Sequence, residues 1–205
     1  MFRRLFLALV LLALPLSSQA AEPPTSSPIP TGALARPTKA GIRFCEVFRA
    51  ECEVNLGEPE VLRLTPAIWD RIVRIDREVN RAIKPLTDMK HFGVTDVWSY
   101  PDDGYGDCED YQLEKRRRLV AAGLPKRPFR LAVVIDAAGT GHMVMIARTD
   151  RGDFILDNQS ATIMPWRETG YEFIKRESDD PANWLQLIPG NPTASNRAGI
   201  PRTDH

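Results

Sequence analysis

The chain has 205 residues, with 27 basic side chains balanced by 27 acidic ones. That length fits a single domain with one buried core. Lys and Arg are scattered among Asp and Glu, which excludes the basic surface expected of a nucleic-acid binder.

Met1-Phe2-Arg3-Arg4 is a short cationic start, and Leu5 to Leu16 is almost wholly apolar. Ser18-Gln19-Ala20 then places small residues where a signal peptidase cuts. Residues 1–20 therefore read as a Sec-type signal peptide, because the apolar run is short for a membrane span. The mature protein is expected in the periplasm or outside the cell. Residues 21–40 are rich in Pro, Ser and Thr and predict a flexible lead-in. Residues 189–205 are similar and predict a loosely ordered tail, which leaves 41–188 as the folded domain.

Cys45 and Cys52 are near neighbours in sequence. In an oxidising compartment they could close a small loop worth about 2–3 kcal/mol, or both could stay free. If they pair, Cys108 is odd, and is a reactive thiol, a buried structural residue or an intermolecular bridge. Further along, Thr65-Pro66 opens a helix whose stripe is Ile68, Ile72, Ile75, Val79 and Ile83; Pro85 stops it. Residues 86–106 mix Gly93, Pro101, Gly104 and Gly106 with His91, Phe92, Trp98, Tyr100 and Tyr105. They predict a loop that covers the core or walls a site. A second helix is expected over 108–122, with Asp107 as its N-cap and Gly123 past its end. Its basic run, Lys115 to Arg118, reads as a solvated face. Strands over 129–136, 142–148 and 153–157 follow, separated by small-residue turns. The whole is an α+β arrangement, a helix followed by an antiparallel meander.

Three stretches carry chemistry. Gly106-Asp107-Cys108-Glu109-Asp110-Tyr111 sets a thiol in the first turn of the second helix. Free backbone N–H groups and the positive dipole end there favour the thiolate. Gly139-Thr140-Gly141-His142 begins a strand with histidine, and Phe154-Ile155-Leu156-Asp157-Asn158 ends the next with a carboxylate. A hairpin turning at 149–152 brings His142 and Asp157 opposite or diagonal, about 5 to 8 Å apart. Cys108 as nucleophile, His142 as base and Asp157 as orienter then supply the contacts a thiol hydrolase needs. The Cys108 backbone N–H could serve an oxyanion. Singly, each has a plainer reading as a core thiol, an edge histidine or a turn aspartate; together, in an exported chain, they support one another. His205 is terminal, and His91 lacks an obvious carboxylate on a neighbouring strand.

Asp107, Glu109 and Asp110 crowd the thiol, and like charges raise its pKa. They either complement the helix dipole or hold a hard cation, and carboxylates outside the cytosol suit Ca²⁺. The cysteines and histidines form no zinc-ligand spacing.

With these residues in view, the sequence resembles the bacterial transglutaminase-like cysteine proteinases, whose best-known members are periplasmic adhesin-releasing proteases of the LapG type. The matching stretches are Phe44-Cys45 to Cys52, Val79-Asn80, Ile83-Lys84-Pro85, Phe92 to Trp98, Gly106 to Tyr111, Gly141-His142, Gly152 to Asn158, Pro165-Trp166 and Gly170-Tyr171. The resemblance implies a papain-like or transglutaminase-like fold, N-terminal helices and the nucleophile helix packed on an antiparallel sheet. It implies Cys108, His142 and Asp157 as the triad, and Ca²⁺ at Asp107, Glu109 and Asp110. It also implies a protein substrate, a large surface adhesin important in biofilms and cut at a pair of alanines. A membrane receptor that senses cyclic di-GMP and sequesters the protease is a further implied partner. The reading is thus a calcium-dependent cysteine endopeptidase. The alternatives are a cell-wall peptide hydrolase or transglutaminase-type acyl transferase with the same triad, and a non-catalytic binding module.

Overall fold

The computed structural model describes residues 22–188. The predicted signal peptide at 1–20 and tail at 189–205 lie outside the described residues. The chain begins with β1 (Thr31–Ala35) and two short helices, α1 (Lys39–Val47) and α2 (Arg49–Cys52). The Cys45–Cys52 disulfide staples those helices together, and Cys108 is the free cysteine. α3 (Pro66–Ala82) starts where its sequence predicts, with the Thr65 hydroxyl accepting from the Ile68 N–H. Two short parallel strands, β2 (Lys84–Pro85) and β3 (Tyr105–Gly106), bracket α4 (Asp88–His91) and its loop. α5 (Cys108–Ala121) then leads into β4 (Phe129–Ile135), β5 (Gly141–Thr149), β6 (Gly152–Leu156), β7 (Met164–Pro165), β8 (Glu172–Glu177) and β9 (Trp184–Leu187).

Seven strands form one antiparallel sheet in the order β1-β9-β8-β4-β5-β6-β7. Its central strands are buried on both faces. Leu131, Met143, Met145, Phe154 and Leu156 join the helices in one core. Ala132, Val134, Val144, Ile146 and Ile155, at the alternate positions, join Ile29, Trp166 and Phe173 in a second. Two-sided burial accounts for near-continuous apolar runs in strands that are antiparallel. No helix among the described residues is long and apolar enough to cross a membrane.

Two expectations are corrected. The lead-in is not loose in its described part: β1 pairs with β9 at the sheet edge, and Ile29 is buried. The Ile29 N–H donates to Asp153 (2.8 Å), and Trp166 Nε1 donates to the Ser27 carbonyl (2.7 Å). Proline-rich backbone is already extended, so it suits an edge where few ladder donors are needed. Gly152 accommodates it, for a Cβ there would stand 2.3 Å from the Ser26 carbonyl carbon. The basic run on α5 is only half solvated. Lys115 and Arg116 are buried because α3 and β8 bring Asp76 and Glu177 to them, at 2.7 and 2.6 Å.

Candidate active site

α5 begins at the cysteine for a local reason. The Asp110 carboxylate folds back to accept from the Asp107 N–H (3.3 Å) and also takes the Ser99 N–H (2.8 Å). The helix start is thereby capped and tied to the preceding loop. Gly106 makes room for this, since a Cβ there would meet the Asp110 Cβ at 2.8 Å. The glycine thus clears space for the Asp110 side chain.

His142 opens β5 opposite Val134 of β4, and Asp157 follows the last residue of β6. The β5–β6 hairpin pairs Met145 with Leu156 and Thr149 with Gly152, so the two residues fall on a diagonal. His142 Nε2 lies 2.8 Å from Asp157 Oδ1, with both side chains almost wholly buried. Burial opposes ionisation of Asp157, but donors from His142, Tyr171 and the Gln159 backbone outweigh it and hold its carboxyl below the usual range. The carboxylate therefore accepts Nε2–H and leaves Nδ1 as the basic nitrogen. The Gln159 amide nitrogen stands 3.4 Å from that Nδ1.

The thiol lies at the same strand start, beside the Met143 backbone amide, which lowers its pKa. Its hydrogen bond goes to Glu109 Oε2 (3.0 Å). Burial, then the charge and hydrogen bond of Glu109, push the thiol far above its ordinary range, overriding the amide. Burial and Asp107 likewise push Glu109 up to about 8, and burial pushes Asp110 up to about 7. So much carboxylate charge in one buried place suits a cation ligand set. Asp88, Asp107 and Asp110 bring carboxylate oxygens within 4.8 Å of one another, and Asp107, Cys108 and Glu109 form a second such group. Asp88 Oδ1 and Asp107 Oδ1 are buried without any hydrogen-bond partner, as acceptors awaiting a cation would be. These residues fit a hard cation. Asp88 clusters with Asp107 and Asp110, while Glu109 turns toward the thiol.

Of the predicted residues, the fold brings His142 and Asp157 into contact and sets Cys108 at the same strand start. His91 has the carboxylate partner that its sequence surroundings did not suggest, Asp103 at 2.8 Å, but from a loop. Asp88, Gln159 and the contact of Tyr171 with Asp157 escape sequence reasoning. All three lie in or beside loops, where neither strand nor helix spacing gives a signal.

A thiol at a helix N-terminus, with that helix packed on an antiparallel sheet carrying a His–Asp pair, is the layout of papain-like and transglutaminase-like cysteine hydrolases. Residues 31–191 match the bacterial transglutaminase-like cysteine proteinases (BTLCP), and the chain belongs to that family. Among solved structures it is similar to calcium-bound LapG of Legionella pneumophila, with 22% identity over 61% of this chain and 72% of that one, and a TM-score of 0.50. A second LapG structure from the same organism has 24% identity over 58% and 68% of the two chains, with a TM-score of 0.49. No curated protein matches the sequence.

Proposed function

We propose that the protein is an exported, calcium-dependent cysteine endopeptidase using Cys108, His142 and Asp157, and that its substrate is a cell-surface protein of the adhesin class. The observation that carries the reading is the buried 2.8 Å contact between His142 Nε2 and Asp157, on the strand that starts beside the free thiol. His142 Nδ1 takes the thiol proton as Sγ attacks the scissile carbonyl, forming a thioester with loss of the amine, to which His142 returns the proton. Water then hydrolyses the thioester with the same base. The Cys108 backbone N–H, at the helix start, donates to the developing oxyanion.

Calcium would be held by Asp107, Asp110 and Asp88, with Glu109 alongside. The calcium-bound LapG relative and the two partnerless buried oxygens support this. Bound there, Ca²⁺ supplies the positive charge that offsets the carboxylates around the thiol. Export is supported by the N-terminal sequence, and periplasmic or extracellular residence by the Cys45–Cys52 disulfide. The test is to incubate the mature protein with extracted surface proteins of its host. Cleavage is expected, and is lost in Cys108→Ala and on calcium chelation. Undiminished cleavage by Cys108→Ala overturns the triad, and indifference to chelator overturns the calcium site.

A further inference from the structure

The Asp157 carboxylate is engaged beyond what holding one imidazole requires. Oδ1 accepts from His142 Nε2 (2.8 Å) and from the Gln159 N–H (2.9 Å), while Oδ2 accepts from the Tyr171 hydroxyl at 2.6 Å. Asn80 Nδ2 donates to the Asp157 backbone carbonyl (2.8 Å). The backbone and Oδ1 are thus fixed from within the hairpin and from α3. Rotation of the carboxylate plane is restrained by the single donor on Oδ2. Asp157 is 2% exposed, so water cannot replace a lost donor. The Tyr171 ring also stands edge-on to His142, with centroids 5.9 Å apart and planes at 77°. Burial and the adjacent carboxylate keep its phenol protonated, so it acts as a donor.

We propose that Tyr171 is a positioning residue, a fourth member of the site that locks the Asp157 carboxylate in the orientation which keeps His142 as the Nε2–H tautomer. Nδ1 is then permanently the nitrogen that accepts the thiol proton. The inference rests on the Cys108–His142–Asp157 reading above, and assigns a residue that acts through Asp157.

The test needs no substrate. The chain has three cysteines and two are bridged, so iodoacetamide reports on Cys108 alone. Alkylation rates at fixed pH and fixed calcium are measured for the full mature chain, Tyr171→Phe, His142→Ala and the double variant. Phenylalanine keeps the ring against His142 and removes only the hydroxyl. Slowing by roughly ten- to a hundred-fold is expected, the value of a hydrogen bond to a charged group. No further slowing is expected when Tyr171→Phe is added to His142→Ala, because Tyr171 works through the imidazole. The low-field proton resonance of the His142 Nε2–H should weaken or vanish in Tyr171→Phe. Unchanged alkylation with an unchanged resonance, or effects that add fully in the double variant, overturns the proposal. Loss of fold in Tyr171→Phe also overturns it, since the hydroxyl would then hold the structure rather than the base. If His142→Ala itself alkylates at the parental rate, the triad reading fails first.

Discussion

Replacing Lys115 by methionine leaves the Asp76 carboxylate buried and alone. The pair spans α5 and α3 at 2.7 Å, with side-chain exposures of 0% and 2%. Burial drives the Lys115 pKa down and the Asp76 pKa up, so each ion is sustained largely by the other. Methionine fills the space of the lysine stem but supplies no charge. Breaking such a pair costs about 3–5 kcal/mol, against about 0–1 kcal/mol for an exposed one. Changing both residues, Asp76→Leu with Lys115→Met, removes the orphan and should recover most of the loss. Urea unfolding reads this as a large fall in midpoint for the single variant at unchanged slope, and a near-parental midpoint for the double. A single-variant loss below about 1 kcal/mol, or a double variant no better than the single, would refute the burial argument.

Asp157→Asn should keep the fold but present an amide to Nε2, favouring the wrong tautomer; alkylation of Cys108 and any cleavage should fall by roughly a thousandfold or more. The same variant tests the acid side. Asp157 has a folded pKa below its unfolded one, so its stabilisation is complete above about pH 4 and is lost as pH falls through the folded value. The parent should therefore lose stability on acidification that Asp157→Asn lacks, and parallel pH profiles would contradict this. Replacing Cys45 and Cys52 together by serine should cost about 2–3 kcal/mol in denaturant unfolding, while a negligible loss would mean the α1–α2 loop is closed without the bridge. Asp88→Asn should weaken calcium binding in titration calorimetry by about tenfold or more, and unaltered affinity would remove Asp88 from the site.

Local sequence carries what local physics decides. The α3 stripe at Ile72, Ile75 and Val79 is buried as its spacing requires, and Thr65 caps the helix. The diagonal between His142 and Asp157 follows from a hairpin whose turn is visible in the residues around 149–152. What is not legible depends on partners far along the chain. Lys115 looks like a solvated lysine until α3 delivers Asp76, 39 positions earlier in the numbering, to its ammonium. Residues 22–35 look like a linker until the sheet offers an edge. Asp88 joins the acidic group across a loop of glycines and aromatics that has no periodicity, and Tyr171 reaches Asp157 from beyond the β7 turn.

The thiol shows how competing local effects are settled by magnitude. A helix N-terminus favours an anion by up to about 2 kcal/mol, or roughly 1.5 pKa units. That alone predicts a reactive cysteine, and the Met143 amide adds to it. Burial acts against the thiolate, and Glu109 acts against it twice, through its charge and by accepting the thiol's hydrogen. The net direction is upward, so the helix dipole loses. A thiol held in this way is not a standing nucleophile. It becomes one when its proton passes to a base in the same event, and when the carboxylates beside it are neutralised. In the proposed triad the first requirement falls to His142, whose free nitrogen is defined by Asp157. The second would fall to a cation held by the proposed site of Asp88, Asp107 and Asp110. The residues that make Cys108 a poor thiolate are therefore the ones through which its reactivity would be controlled.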